Sequence, residues 1–131
     1  MDWRSIALGT AGLIGAATAS AHGVLMQRLI VRPIDALIGA DARISAPVQR
    51  LVPPLLHFTT FNWGLSGLTL IAAALWFGDG ARLVTGLFAG SSFLFGAAGA
   101  LWGTRRFHPG WLLMAIALVL IVLGLGSAIH A

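Results

Sequence analysis

The side chains with most chemical potential here are four histidines, His22, His57, His108 and His130, in a chain without cysteine, lysine or glutamate. Imidazole donates, accepts, ligates metals and changes charge near neutral pH. His22 lies six residues before Arg28, and His57 four residues after Pro53. On helices rising ~1.5 Å per residue, these positions fall about 9 and 6 Å inside their spans. In antiparallel neighbours the two depths match, and His108 stands at the same boundary. His130 lies at the opposite end. Trp63, Trp102 and Trp111 are placed to wall a site formed by His22, His57 and His108.

Such a cluster has two readings. As a ligand site, it offers imidazoles to haem or a transition metal, or hydrogen bonds to a quinone or lipid headgroup. An ionisable side chain within a span marks function by default. As a packing feature, neutral His22 and His57 bond to a neighbouring hydroxyl, amide or carbonyl. No carboxylate lies near them in sequence to orient an imidazole, so a metal site would lack its usual supporting hydrogen bond.

The elements that must position these residues follow from composition. Of 131 residues, 58% are hydrophobic and 9% charged, outside the range of an ordinary soluble domain. A bilayer crossing takes about 20 apolar residues, and four stretches qualify: 5–30, 51–77, 82–103 and 110–129. Little chain remains, so residues 1–131 read as one transmembrane domain. The expected fold is all-α, an integral membrane up-down four-helix bundle. Gly78-Asp79-Gly80 and the run from Thr104 to Gly110 are short links that make neighbours antiparallel. Residues 34–39 suit a short amphipathic helix at the interface, with Ile34, Leu37 and Ile38 toward lipid. Pro47 and Pro53-Pro54 leave two places where the second helix can begin.

Ala19-Ser20-Ala21 resembles a signal-peptidase site. Charge placement argues for a retained first helix instead. Arg28, Arg32, Arg43, Arg50, Arg105 and Arg106 share one side, and only Arg4 and Arg82 the other. The positive-inside rule places the six in the cytoplasm, with both termini periplasmic in a bacterial inner membrane. Arg28, Arg32, Arg105 and Arg106 fit lipid-headgroup contacts at that interface. The net charge of +4 is thus assigned to membrane lipids rather than nucleic acid. All four acidic residues, Asp2, Asp35, Asp41 and Asp79, sit outside the spans, which argues against an ion-coupled transporter. No nucleophile–base pair, phosphate loop or zinc-protease motif occurs, so an enzyme is not indicated.

Small residues define the packing faces. Gly15, Thr18 and His22 share a face of the first helix. Gly96, Gly99 and Gly103 do so on the third, beside Gly86-x-x-x-Gly90. The second helix carries two stripes, His57–Phe61–Gly64–Leu68 and Thr59–Asn62–Ser66–Thr69, and is therefore expected at the centre. The fourth, nearly uniform, is expected to be most exposed to lipid. Small-residue faces exceed what four helices can satisfy among themselves. An accessory or scaffolding subunit of a larger inner-membrane complex, or a homo-oligomer, is the expected role. A haem- or metal-binding redox protein is the alternative.

Three patches, AHGVLMQRLIVRPI, LLHFTTFNWGLSGL and RRFHPGWLLMAIAL, resemble a group of uncharacterised four-helix inner-membrane proteins of proteobacteria. The residues that carry the likeness are His22 and Arg28, then His57, Thr59 and Trp63, then Arg106, His108 and Trp111. At Gly23 and Met26-Gln27 the chain departs from the Ser and Gly-Glu of that group. The resemblance implies four membrane helices and brings no activity with it.

Overall fold

An apolar chain with few hydrogen-bonding side chains must satisfy its backbone locally, and helices do this completely. The computed structural model, which describes residues 2–126, is all-helical over that range. Its elements are α1 (Trp3–Met26), a five-residue π-turn (Gln27–Val31), α2 (Arg32–Ala40), α3 (Ala46–Trp76), α4 (Asp79–Thr104) and α5 (Pro109–Leu125). Three helical stretches, Trp3–Ala40, Ala46–Trp76 and Asp79–Thr104, are long and apolar enough to cross a membrane; Pro109–Leu125 is a shorter apolar helix. The expected continuation of the last helix to residue 129, and His130, lie outside the described residues.

Two boundaries differ from expectation. The segment around Pro33 is not a loop with a separate interfacial helix. Helix runs through it to Ala40, and residues 34–39 fall within α2. Pro33 has no N–H to donate and crowds the carbonyl four residues back. The ladder responds by shifting register just before it, with Arg32 N–H reaching Gln27 O, five residues back. At the second span, Pro47 opens α3, and the helix then continues through Pro53-Pro54. Arg50, one of the residues whose carbonyl loses its partner there, is exposed, so water can take the freed acceptor. The Gln49 side chain ties the hairpin by donating to Ile38 O and Ile44 O, at 3.4 and 3.1 Å.

The helices form a ring in the order α1, α3, α4, α5 and back to α1, with α1 and α3 sharing the most extensive seam. Gly12 and Gly67 let these two backbones touch. A Cβ on Gly12 would lie 2.6 Å from Gly67 O, and one on Gly67 would lie 2.6 Å from both Gly12 O and Ala16 N. Phe93 of α4, fully buried, reaches across the ring and fills the notch over Gly15. Helix α1 therefore contacts every other long helix, so the hub is the first span and not the second. The reason is side-chain bulk: α1 buries a glycine- and alanine-rich face, whereas α3 turns part of its polar stripe outward.

The last span is likewise not the most exposed. Met114, Ala117, Ile121, Gly124 and Leu125 of α5 are buried, with Gly124 against Leu8 and Leu125 over Gly86. Helix α4, with only five buried residues among 26, is the peripheral one. Gly86 and Gly96 face bulky side chains, and Gly64 and Gly90 make ordinary contacts, but among the described residues nothing lies within 4 Å of a Cβ placed on Gly99 or Gly103.

Helix ends are closed by charge. Asp2 caps α1 by accepting from Ser5 N–H at 2.9 Å. Arg82, in the first turn of α4, donates from Nε and Nη2 to Ala73 O and Ala74 O, at 3.0 and 3.1 Å, closing the end of α3. A cation at a helix C-terminus opposes the negative end of its dipole.

Two predictions follow from this packing. Gly12→Leu or Gly67→Leu will force α1 and α3 apart and lower stability by ~1–3 kcal/mol, the usual cost of overpacking. Gly99→Leu and Gly103→Leu will change it by less than ~0.5 kcal/mol, as expected away from contacts; thermal melts in detergent followed by circular dichroism distinguish them. The hydrogen bonds from Ser5 hold the Asp2 carboxyl below its usual range, helped by Arg82 and Arg4. A carboxylate shifted down stabilises above its ordinary pKa and loses that contribution as pH falls through the lowered value. Hydrogen exchange at Ser5, corrected for intrinsic rate, should therefore accelerate on acidification, and Asp2→Asn should flatten that dependence.

Candidate binding site at the arginine-rich end

Antiparallel packing brings the linker 41–45 and the turn after α4 to one end, where the exposed Arg28, Arg32, Arg43, Arg50, Arg105 and Arg106 gather. Below that end the α1–α3 seam is polar. His22 Nδ1 lies 2.8 Å from Thr60 Oγ1. Five residues further on, at the start of the π-turn, Gln27 Oε1 accepts from His57 Nε2–H at 2.7 Å. A Cβ on Gly23 would meet the Thr60 methyl at 2.8 Å, so this glycine lets the histidine and threonine reach each other.

His22 also packs on Trp63, ring centroids 4.7 Å apart and planes tilted by 56°. Trp63 is buried and lies so close to Gly96 of α4 that a Cβ there would overlap its ring. Trp63 thus occupies the middle of the bundle and forms one wall of a cavity of about 250 Å³. The other lining residues are His22, Thr59, Phe95, Gly96, Gly99, Ala100, His108 and Gly110.

The turn between α4 and α5 delivers His108. Arg105 takes a left-handed conformation, φ 47° and ψ 22°, that ends α4. Thr104 Oγ1 donates to Ala100 O at 2.7 Å, and Trp111 Nε1–H donates to Arg106 O at 3.3 Å. Phe107 stands edge-on to Trp111 with centroids 5.7 Å apart. At the start of α5, His108 Nδ1 accepts from Gly110 N–H at 3.0 Å. A neutral imidazole that accepts at Nδ1 carries its proton on Nε2, so His108 presents an N–H donor.

The three expected histidines therefore divide. His22 and His108 line one cavity, while His57 is held outside it by Gln27. The expected match in depth does not hold: His57 stands opposite Gln27, about a helical turn nearer the arginine-rich end than His22, which stands opposite Thr60. Among the described residues no group of three or more His, Cys, Asp or Glu could hold a metal ion. The cavity also lies below the ~300 Å³ at which pockets for drug-sized ligands begin, which is too small for a haem macrocycle. Of the tryptophans, Trp63 walls the cavity; Trp102 is exposed, and Trp111 braces the turn.

On the opposite side of α3, Asn62 Nδ2 donates to Ser92 Oγ at 2.6 Å, the interhelical bond expected of that stripe. Asn62, Ser66, Thr69 and Thr85 line an outward groove of about 320 Å³ between α3 and α4, flanked by exposed Leu65, Val84 and Phe88. Thr18 is buried, and its Oγ1 has no partner among the described residues. Sequence reasoning missed Gly12 and Gly67, although Gly12-x-x-x-Ala16 is a small-xxx-small pattern. It also missed Phe95, which nothing distinguished from other apolar residues of α4. No family model, curated protein or solved structure matches this chain.

Replacing Thr60 with Val should leave His22 Nδ1 without its neighbour and cost ~1–2 kcal/mol, the usual penalty for orphaning a half-buried polar group. In the double variant Thr60→Val/His22→Leu the coupling should disappear, and a thermodynamic cycle from detergent melts measures it.

Proposed function

We propose that this chain is a non-enzymatic, multi-pass protein of the bacterial inner membrane that serves as an accessory subunit, packing against a larger membrane complex. The observation that carries this reading is the α3–α4 groove. Its lining of Asn62, Ser66, Thr69 and Thr85 opens to the outside of the bundle rather than into it. In hydrocarbon, polar groups find no water, and a neighbouring helix is the partner that can satisfy them. A transmembrane helix of another protein laid in the groove would sit between the ridges of Leu65 and Phe88. The bare glycine Gly103 extends the small-residue surface of α4 toward its C-terminal end.

The proposed orientation rests on charge. Six exposed arginines occupy one end and Arg4 and Arg82 the other. The positive-inside rule assigns the six to the cytoplasm, and interfacial arginines there meet anionic headgroups. Arg28, Arg32, Arg105 and Arg106 are the proposed headgroup contacts.

Two measurements test this. Blue-native electrophoresis of gently solubilised membranes should show the chain in an assembly larger than a monomer. A photo-crosslinking residue at Leu65 or Phe88 should capture a membrane protein that one at Leu113 does not. A monomer with no groove-specific adduct rejects the subunit reading. Alkaline phosphatase fused at the C-terminus should be active; activity of a cytosolic fluorescent reporter there instead would invert the orientation.

A further inference from the structure

The slot between α1, α3, α4 and α5 has four properties that together select a ligand class. Its polar groups are Thr59 and two imidazoles: His22, whose Nδ1 is engaged by Thr60, and His108, whose Nδ1 accepts from Gly110 N–H. In each ring Nε2 is the remaining nitrogen, and in His108 it is a donor. Trp63 and Phe95 supply aromatic surface, and on α4 Gly99 and Ala100 form a face without bulk beside Trp63, which itself rests on Gly96. A flat ring can lie against such a face with its edge toward Trp63. The volume, about 250 Å³, far exceeds the ~30 Å³ share of one water.

The fourth property is the direction of the opening. Phe95 is 78% exposed and Gly99 is exposed on the outer face of α4, so the slot communicates sideways with the surface that faces acyl chains. A ligand can place its ring inside and leave an apolar tail among the lipids. His22 lies about 9 Å inside its span at ~1.5 Å per residue, a depth at which a phosphate would shed its hydration at high cost. Uncharged carbonyl oxygens carry no such penalty.

We propose that this slot binds the headgroup of a lipid-soluble quinone, with one ring oxygen at His108 Nε2–H, the other at His22 Nε2, and the ring against Gly99 and Ala100 beside Trp63. His22 can serve either redox form of such a ligand. With Thr60 Oγ1–H donating to Nδ1, its Nε2–H donates to a carbonyl; in the other tautomer, Nε2 accepts from a hydroquinone hydroxyl. The site is independent of the α3–α4 groove and adds ligand binding to the subunit role.

The test uses full-length protein in phospholipid nanodiscs, titrated with decylubiquinone and followed by tryptophan quenching, with empty discs to subtract partitioning. Saturable binding near one per chain is expected. His108→Ala and His22→Ala should each weaken it about tenfold, the equivalent of one hydrogen bond. Gly99→Leu should abolish it by filling the slot while leaving the thermal melt unchanged, since nothing lies within 4 Å of its Cβ position. His57→Ala, outside the slot, should bind as the parent does. Non-saturable quenching equal to that of empty discs overturns the proposal. So does saturable binding that Gly99→Leu leaves intact, which would assign the ligand to another surface such as the annular lipid.

Discussion

The bundle depends on one close approach, the crossing of α1 and α3 at Gly12 and Gly67. There the backbones are near enough that no side chain fits between them. In a bilayer the hydrophobic effect does not drive helices together, because lipid is as apolar as the helix surface; contact area and interhelical hydrogen bonds must do so. A glycine crossing maximises the first and aligns the second. It brings His22 within reach of Thr60 and His57 within reach of Gln27. Moving α1 out by one methyl would separate both pairs at once.

Polar side chains consequently fall into three environments. Those on the α1–α3 seam pair with one another and are half-buried. Asn62 and its neighbours on the far side of α3 line a groove that faces outward, with Ser92 as their link to α4. His22, Thr59 and His108 border a slot that is aromatic, small and open sideways. The same helix, α3, contributes to all three, which is why its two polar stripes could not be assigned to one role.

The two ends of the bundle are built differently. At one, Asp2 and Arg82 complete the helix termini of α1 and α3 through hydrogen bonds to backbone. At the other, helix continues past the bundle through the π-turn and α2, returns along the first part of α3, and is fastened by Gln49. The arginines of that end remain exposed, apart from the local pairing of Arg43 with Asp41 at 3.1 Å. One end is thus closed on itself, and the other keeps its charge for its surroundings.

Composition and hydropathy alone determined that the chain is helical, where its long apolar rods lie, and that the arginines collect at one end. Each of these is a property of consecutive residues. That His22 and Trp63 lie toward the same end of the bundle as His108 was also legible, since it follows from counting along antiparallel helices. Which histidine faces the slot was not: a rotation of about one residue, 100° of helix, separates lining it from leaving it, and the seam partners Thr60 and Gln27 set that rotation. Nor could the sequence tell that α1 rather than α3 is the hub, or that Pro33 bends the ladder into a π-turn instead of ending it. Those outcomes depend on which surfaces meet across the ring, and many glycine-bearing faces compete for each contact until tertiary packing chooses among them.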